Sequence, residues 1–369
     1  MQRGSRRRSA SALGVIPLVG IIAACAPGNI APAASRRSTA PEAASTAIAS
    51  SAAPIILIEQ QQGTDTVLQA TDSAGAPLWA TPSHGDVVSV AGSRIYSVDY
   101  TSNQISVSDS SGHPIGTGDL PKGGAVVFSP VGAEWAWSAI DSTVPSPAPT
   151  GSTVEVRGSL WVAGVNEAPR RVYQWSETGQ SALAGGPFNG LIEWSDQGLV
   201  SSSLPAQSCG GWQESASYIV DPATGTKTVL ATDGRAVADV HGGLVAAFAK
   251  GSRETIVVSG RASFSWTNTP ASPHELVEPP SISPDGDVVM VPLVDTECGG
   301  IPTVRTAFVK VATHAATYVQ GVYGRFWVDD SHAIGWTSGG AGQNQELDLI
   351  GSDGSRAQFT HGDVMGVLR

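Results

Sequence analysis

From residue 54 onward, hydrophobic and polar positions alternate in short runs, and turn-forming residues separate these runs. Two examples are RIYSVDY at 94–100 and QISVSD at 104–109. A period of two places every second side chain on one face of a β-strand, so each run predicts a strand with one buried face. The frequent glycine, proline, serine and valine residues favour the same class, and we expect almost no helix. The pattern therefore predicts an all-β fold.

The runs group into units of four strands, which we call a, b, c and d. The clearest unit begins at His84-Gly85-Asp86 and ends after a turn at 109–112. An aspartate can accept hydrogen bonds within its own turn, and a glycine tolerates positive φ, so Asp-x-x-Gly predicts a tight hairpin. This c-to-d turn recurs at Asp72–Gly75, Asp109–Gly112, Asp221–Gly225 and Asp353–Gly354.

A second marker occupies the a-to-b turn. It is present at Phe128–Gly132, Trp194–Gly198, Ile282–Gly286 and Trp327–Ser331. These segments resemble the W-S-P-D-G signature of TolB-type and WD-like β-propeller blades. Residues 70–79 are similar to the A-x-D-x-x-G-x-x-x-W stretch of quinoprotein-like propeller repeats. The resemblance implies a β-propeller, and Asp329-Asp330 is then interpreted as turn chemistry.

The spacing of the units predicts seven blades in one domain over 54–369. Strand a begins near residues 86, 124, 190, 236, 281, 324 and 363, and turn-rich insertions at 141–152 and 176–190 explain the longest gap. The last strand a begins near residue 363, and the residues from there to 369 are too few to form strands b, c and d as well. We expect the C-terminal strand to complete the N-terminal blade, which removes free sheet edges. Nine of the tryptophans lie in predicted strands or blade turns, where we expect them to fill the wedges between blades.

The N-terminal region resembles a bacterial lipoprotein signal. A basic stretch, an apolar run over 12–24 that is too short to span a bilayer, and Ala23-Ala24-Cys25 occur in that order. Residues 1–24 are then the signal peptide and Cys25 the lipidation site. Residues 25–53, rich in Ala, Ser and Pro, are a disordered tether. The expected location is the outer side of the cytoplasmic membrane. A secretory signal with an incidental cysteine is the alternative.

Composition and missing motifs limit the possible functions. The formal charge of −11 excludes nucleic acid as an expected partner. The hydrolase signatures G-x-S-x-G and H-E-x-x-H are missing, and so are the adjacent cysteines of a quinoprotein dehydrogenase. His274-Glu275-Leu-Val-Glu278 lies among prolines and is interpreted as an exposed loop. We expect a monomeric, non-catalytic binding or scaffold module without a cofactor. The alternative is an enzyme that acts on glycan or lactone-type substrates at the channel mouth.

Cys209 and Cys298 are the remaining cysteines of an exported chain. Both precede Gly-Gly, and the blade pattern places both in b-to-c loops on one face. We expect a disulfide between them, with two free thiols as the alternative. Without a nearby second Cys or His pair, they do not predict a zinc site.

The ligand surface is expected on the face that carries the d-to-a and b-to-c connections. The long segments fall there: 141–152, 176–190, 205–214, 267–280, 295–303 and 338–344. Long loops on a rigid frame are common recognition sites, and Trp212 is the aromatic candidate for an envelope protein, a cell-wall component or a small molecule. His84, Asp86, His361 and Asp363 are metal candidates at the same mouth. The His-Gly-Asp pattern is also ordinary turn chemistry.

Overall fold

The computed structural model describes most of the chain after residue 52. The described residues are 53–63, 65–120, 126–132, 134–145, 153–180, 188–204, 217–231, 236–252, 254–295, 303–337 and 345–369. They lie within the unit Ser50–Arg369 and form strands and turns. Across these ranges there is no helix with the length and hydropathy needed to cross a membrane.

The strands form seven antiparallel sheets arranged as blades, which confirms the predicted fold class. Blade 1 contains β1 (Ile55–Gln62), β2 (Asp65–Thr71) and β3 (Pro77–Pro82); blade 2 contains β4 (Val87–Ala91), β5 (Arg94–Asp99), β6 (Gln104–Asp109) and β7 (Pro114–Asp119); blade 3 contains β8 (Val126–Phe128), β9 (Glu134–Pro145), β10 (Thr153–Gly164) and β11 (Arg170–Gln180); blade 4 contains β12 (Phe188–Ser195), β13 (Gly198–Leu204), β14 (Ser217–Val220) and β15 (Lys227–Ala231).

The chain continues around the ring in the same order. Blade 5 contains β16 (Val237–His241), β17 (Leu244–Phe248), β18 (Thr255–Gly260) and β19 (Phe264–Thr267); blade 6 contains β20 (Glu275–Val277), β21 (Ser281–Ile282), β22 (Val288–Asp295), β23 (Thr303–Lys310) and β24 (Ala316–Gln320); blade 7 contains β25 (Val322–Trp327), β26 (His332–Thr337), β27 (Glu346–Gly351) and β28 (Arg356–His361). Strand β29 (Asp363–Leu368) then returns to blade 1.

The closure of the ring is confirmed. Strand β29 pairs antiparallel with β1, with Ile56 opposite Val367, so the last strand is the inner strand of the first blade. The inner strands begin at residues 87, 126, 188, 237, 281, 322 and 363, close to the predicted starts. In blade 6 the inner edge is split into β20 and β21, which both pair with β22. Pro279 and Pro280 lie between them and have no N–H to donate to a sheet.

The predicted c-to-d turns are also confirmed. At the turn after β6, Asp109 Oδ1 accepts hydrogen bonds from the backbone N–H of Ser111 at 2.8 Å and of His113 at 3.0 Å. Gly112 has φ of 81°, a conformation that side chains with a Cβ rarely adopt. These bonds are local, which explains why the motif could be recognised in the sequence.

The described ends of the two predicted insertions belong to strands rather than to loops. Strand β9 extends to Pro145, so residues 141–145 of the first insertion belong to a strand, whereas 146–152 lie outside the described residues. Thr143 pairs with Val156 and Val144 with Glu155. β-Branched residues suit an extended ladder, and this preference outweighs the turn-forming composition. In the second insertion, β11 continues to Gln180 and β12 begins at Phe188.

Tryptophans fill the spaces between blades, as predicted. Five of the nine are buried, and the other four pack partly buried against the hydrophobic clusters; the buried ones are Trp135, Trp137, Trp175, Trp266 and Trp327. Trp137 stacks on Trp161 with ring centroids 6.4 Å apart. Large aromatic side chains therefore form much of the contact between neighbouring sheets.

The expectation of an exposed loop at 274–278 is wrong for Glu275. This residue lies in β20 and is buried with Arg305, whose Nε and Nη2 donate to its two carboxylate oxygens at 2.6 and 2.7 Å. Arg305 also donates to Asn268 Oδ1 at 3.2 Å and to the Thr269 carbonyl at 2.8 Å. The arginine on β23 therefore attaches the segment that enters blade 6 to the blade itself. Nothing in the local sequence pattern identified this distant partner.

Candidate functional site in the central channel

The inner strands enclose a cavity of about 510 Å³ in the centre of the ring. Residues of β4, β12, β16, β21, β25 and β29 line it, and Pro130, Asp196 and Pro284 of the a-to-b turns border one end. The cavity therefore opens toward the face of the a-to-b turns. This volume lies within the usual range for small-molecule sites.

Two carboxyl groups, of Glu193 and Asp239, form part of the cavity wall. Each lies on an inner strand directly after a β-bulge, since the ladder register shifts between Leu191 and Glu193 and between Val237 and Asp239. A bulge adds one residue to a strand and changes the direction of the side chains beside it. Both carboxyl groups are half-buried in the wall.

Each carboxylate is held by the backbone of the next blade. Glu193 Oε1 of blade 4 accepts a hydrogen bond from the Val240 N–H of blade 5 at 2.6 Å. Asp239 Oδ2 of blade 5 accepts one from the Ile282 N–H of blade 6 at 2.5 Å. The two side chains thus connect three successive blades and are held rigidly at the channel wall.

The two carboxyl groups also share a hydrogen bond with each other. Burial raises the pKa of Glu193 well above its usual range, and the neighbouring charge of Asp239 raises it further. Burial also raises the pKa of Asp239, against the opposing effects of the Ile282 N–H and the hydrogen bond from Glu193. Two adjacent carboxylates cannot both ionise easily, so Glu193 keeps a proton and donates it to Asp239. The pair then carries one negative charge.

His241 follows on the same inner strand and also lines the cavity. Its Nε2 lies 2.8 Å from the carbonyl oxygen of Pro284 in blade 6. Because a carbonyl can only accept a hydrogen bond, this contact assigns the proton to Nε2. The exposed Asp196 adds a further carboxylate at the rim. One side of the cavity is therefore predominantly acidic.

Two arginines contribute to the other side. Arg325 lies on β25 of blade 7, and Arg369 follows β29 of blade 1. In a ring of seven blades, blade 1 lies opposite the junction between blades 4 and 5, where Glu193 and Asp239 are located. The cavity is therefore acidic on one wall and basic on the facing wall.

Both arginines have fixed positions. Arg325 lies over the rings of Trp336 at 5.0 Å and Phe326 at 5.2 Å, and its Nη1 is 3.5 Å from Asp363 Oδ1. Arg369 Nη2 donates to the Trp327 carbonyl at 2.5 Å. Burial lowers the pKa of Arg369, which the charges of Asp330 and Asp329 partly counteract. An arginine side chain stays charged under these conditions.

The predicted metal candidates do not form one site. His361 ends β28 in blade 7, opposite Glu346, whereas Asp363 begins β29 in blade 1, opposite Glu59. Asp86 Oδ2 accepts a hydrogen bond from the Tyr100 N–H at 2.7 Å. In the described part of the chain, no three His, Cys, Asp or Glu side chains are grouped to hold a metal ion. The Asp86 carboxylate therefore has a structural role, because it connects the residue before β4 to the residue after β5.

The remaining predicted site residues lie outside the described residues. They are the lipidation site Cys25, the cysteines Cys209 and Cys298, and Trp212. Much of the long-loop face also lies outside, so ligand binding there stays a prediction. The structure adds Glu193 and Asp239, which the sequence analysis did not identify. The sequence did contain a signal for them: each carboxylate interrupts an otherwise apolar inner strand, in LIEW at 191–194 and in VADV at 237–240.

Comparison with known proteins supports the fold. No family model matches the chain, and no curated protein matches its sequence. Among solved structures, TolB from Acinetobacter baumannii is 15% identical, with a TM-score of 0.43, covering 86% of this chain and 66% of TolB. A prolyl endopeptidase is 11% identical, with a TM-score of 0.54, covering 85% of this chain. Acylaminoacyl peptidase from Pyrococcus horikoshii is 13% identical, with a TM-score of 0.51, covering 83% of this chain.

These similarities extend over most of this chain but only part of the other proteins. The chain spans about two thirds of the length of TolB and about half of the length of each peptidase. An oligogalacturonate lyase is 10% identical, with a TM-score of 0.47. Fold similarity at this level of identity does not identify an activity. The chain is a seven-bladed β-propeller with distant structural similarity to TolB, oligogalacturonate lyase and the propeller domains of prolyl peptidases.

Proposed function

We propose that this protein is an exported, lipid-anchored propeller that serves as a non-catalytic binding or scaffold module of the bacterial cell envelope. The lipobox-like Ile22-Ala23-Ala24-Cys25 supports the anchor, and residues 26–53 provide a tether between membrane and propeller. The W-S-P-D-G-like turns relate the chain to TolB-type propellers. An acidic, closed ring at the membrane surface is suited to binding a partner or a small molecule.

The observation that carries the non-catalytic role is the bonding of Glu193 and Asp239. Each carboxylate accepts a short hydrogen bond from the backbone of the next blade, at 2.6 and 2.5 Å. These bonds maintain the geometry of the ring at the channel wall. Joining successive blades is a structural role that both carboxyl groups fulfil without any substrate, and this supports a non-catalytic ring.

The second candidate function is that of an enzyme, and the carboxyl pair of Glu193 and Asp239 is the observation that favours it. One protonated and one ionised carboxyl group in a cleft form an acid and a base with separated pKa values. Such a pair would serve the cleavage of glycan or lactone-type substrates at the channel mouth. In this case, Glu193 would be the acid and Asp239 the base.

Two experiments test the proposal. Fractionation of cells that express the full chain or Cys25→Ser should show the wild type in membranes and the variant in the soluble fraction; membrane retention of the variant would contradict the lipid anchor. Purified protein should leave a panel of oligosaccharides and lactones unchanged. Turnover that Glu193→Gln and Asp239→Asn abolish would instead establish the enzyme.

Recognition on the long-loop face needs a separate measurement. Trp212→Ala should weaken capture of envelope proteins or cell-wall fragments from the native membrane, whereas Trp266→Phe, a conservative change at a buried position in β19, should not. Equal capture by both variants would contradict the role predicted for Trp212.

A further inference from the structure

We propose that the channel cavity binds a small zwitterion, with its ammonium group at Glu193 and Asp239 and its carboxylate near Arg325 and Arg369. The inference deepens the proposed binding role and rests on it, but it concerns the channel rather than the long-loop face. The ligands of this class are amino acids and short peptides. It depends on the opposed charges that line one cavity.

The acidic wall matches an ammonium group in charge and in hydrogen bonding. The pair carries a negative charge; each carboxyl group accepts one backbone N–H, the two share one hydrogen bond, and the Ser281 side chain also donates to Asp239. A carboxylate has about four lone-pair directions, so acceptors remain for the donors of an ammonium group. The side chains are already fixed by neighbouring blades, so little side-chain entropy is lost on binding.

In the free protein, the burial of two neighbouring carboxyl groups costs free energy, and a cationic ligand would reduce this cost. Two carboxyl groups lie together in a partly buried wall, and the described residues show no lysine or arginine bonded to either of them. Burial raises the pKa of both groups. An ammonium group would favour the ionised pair and release the proton held by Glu193. Such unfavourable arrangements in a cleft are characteristic of ligand sites.

The basic wall supplies the complementary anchor. A guanidinium group has five N–H donors, and in the described part of the chain Arg369 commits Nη2 to the Trp327 carbonyl. Arg325 makes a long contact of 3.5 Å with Asp363 and keeps further donors. A carboxylate suits the planar donor geometry of arginine. A simple cation would leave this wall unmatched, and a simple anion would be repelled by the facing pair.

The space between the two walls is lined by hydrocarbon and aromatic groups. Val87, Val90 and Met365 come from the inner strands of blades 2 and 1, and Trp194 and Trp327 come from blades 4 and 7. Val87 remains 45% exposed although it lies in a strand that lines the channel. The aliphatic part of an amino acid or short peptide would cover this apolar surface.

Isothermal titration calorimetry of the full protein tests the inference with unbranched ω-amino acids, from glycine to 8-aminooctanoate. We expect affinity to peak at one chain length, because the two charged ends must reach facing walls. The diamine and the dicarboxylate of that length should bind at least about tenfold more weakly, since each lacks one charge-assisted contact. Equal binding of all three classes, or no binding by any ω-amino acid, would overturn the proposal.

Matched variants locate the site. Glu193→Gln keeps an oxygen for the Val240 N–H, and Arg369→Gln removes one positive charge; each should weaken the best ω-amino acid about tenfold or more. Glu134→Gln and Arg261→Gln, at exposed ion pairs outside the cavity, should leave the affinity unchanged. Titration in buffers of different ionisation enthalpy should show proton release by the wild type and none by Glu193→Gln. Equal effects of the cavity variants and the controls would refute the site.

The results separate this inference from the proposed function. Absence of ω-amino acid binding, with capture of an envelope partner intact, would remove the channel site alone. Binding followed by chemical conversion of an amino acid or peptide would retain the site and overturn the non-catalytic role.

Discussion

Replacement of Arg305 by methionine should cause a large loss of stability, because it leaves a buried carboxylate without its ion partner. Only 5% of the Glu275 side chain and 10% of the Arg305 side chain are exposed. Breaking such a buried pair from one side costs about 3 to 5 kcal/mol. Arg305 also lies 4.5 Å from the ring of Tyr318, a contact that methionine would replace only by packing. We expect a loss of about 3 kcal/mol for Arg305→Met, or about 4 to 5 °C in Tm for a domain of this size.

Chemical and thermal denaturation of three variants test this reasoning. Arg305→Met with Glu275→Met removes both charges and should cost less than Arg305→Met alone, because no buried charge is left. Arg261→Met breaks an exposed pair with Asp287 and should cost less than about 1 kcal/mol. A loss for Arg305→Met no larger than that of Arg261→Met would refute the energetic importance of burial here.

The effect of Arg305→Met should also depend on pH. Burial raises the pKa of Glu275, but hydrogen bonds from Arg305, the Ala271 N–H and Asn268 outweigh it and hold the pKa below its usual range. A carboxyl group with a lowered pKa contributes stability above its unfolded pKa, and the contribution disappears as the pH falls through its folded pKa. The difference between wild type and variant should therefore be largest near neutral pH and diminish in acid. A difference that does not change with pH would contradict this assignment.

Three further predictions concern the ring. Glu193→Gln should stabilise the protein at neutral pH and remove a decline in stability that the wild type shows as the pH rises above the usual carboxyl range, because the raised pKa of Glu193 makes the folded state bind the extra proton; thermal unfolding across pH measures this, and identical profiles would contradict it. Deletion of 361–369 should unfold or aggregate the protein, since β29 is the inner strand of blade 1; an unchanged Tm would be inconsistent with closure. Gly118→Ala should cost about 1 to 3 kcal/mol, because a Cβ there would overlap the ring of Trp135; denaturant midpoints measure the loss, and a neutral effect would show that the tryptophan ring can move aside.

The sequence predicted some parts of the structure well and others poorly. The Asp109 turn and the starts of the inner strands were predictable because a turn and a two-residue period depend on neighbours in the chain. The burial of Glu275 was not, since its partner Arg305 lies 30 residues away on another strand. The extension of β9 to Pro145 was also missed, because proline and serine there indicate turns whereas ladder pairing with β10 continues.

The candidate site shows the same division. By itself, the sequence determined the number of blades, the turn chemistry and the return of the last strand to the first blade, since each follows from local hydrogen bonding and from a repeat that ends incomplete. Only the tertiary structure decided that Glu193 and Asp239 lie together at the channel wall with raised pKa values and that Arg325 and Arg369 contribute to the facing wall. The charge pattern of the cavity is a property of the closed ring, because it arises where residues of different blades meet across the channel.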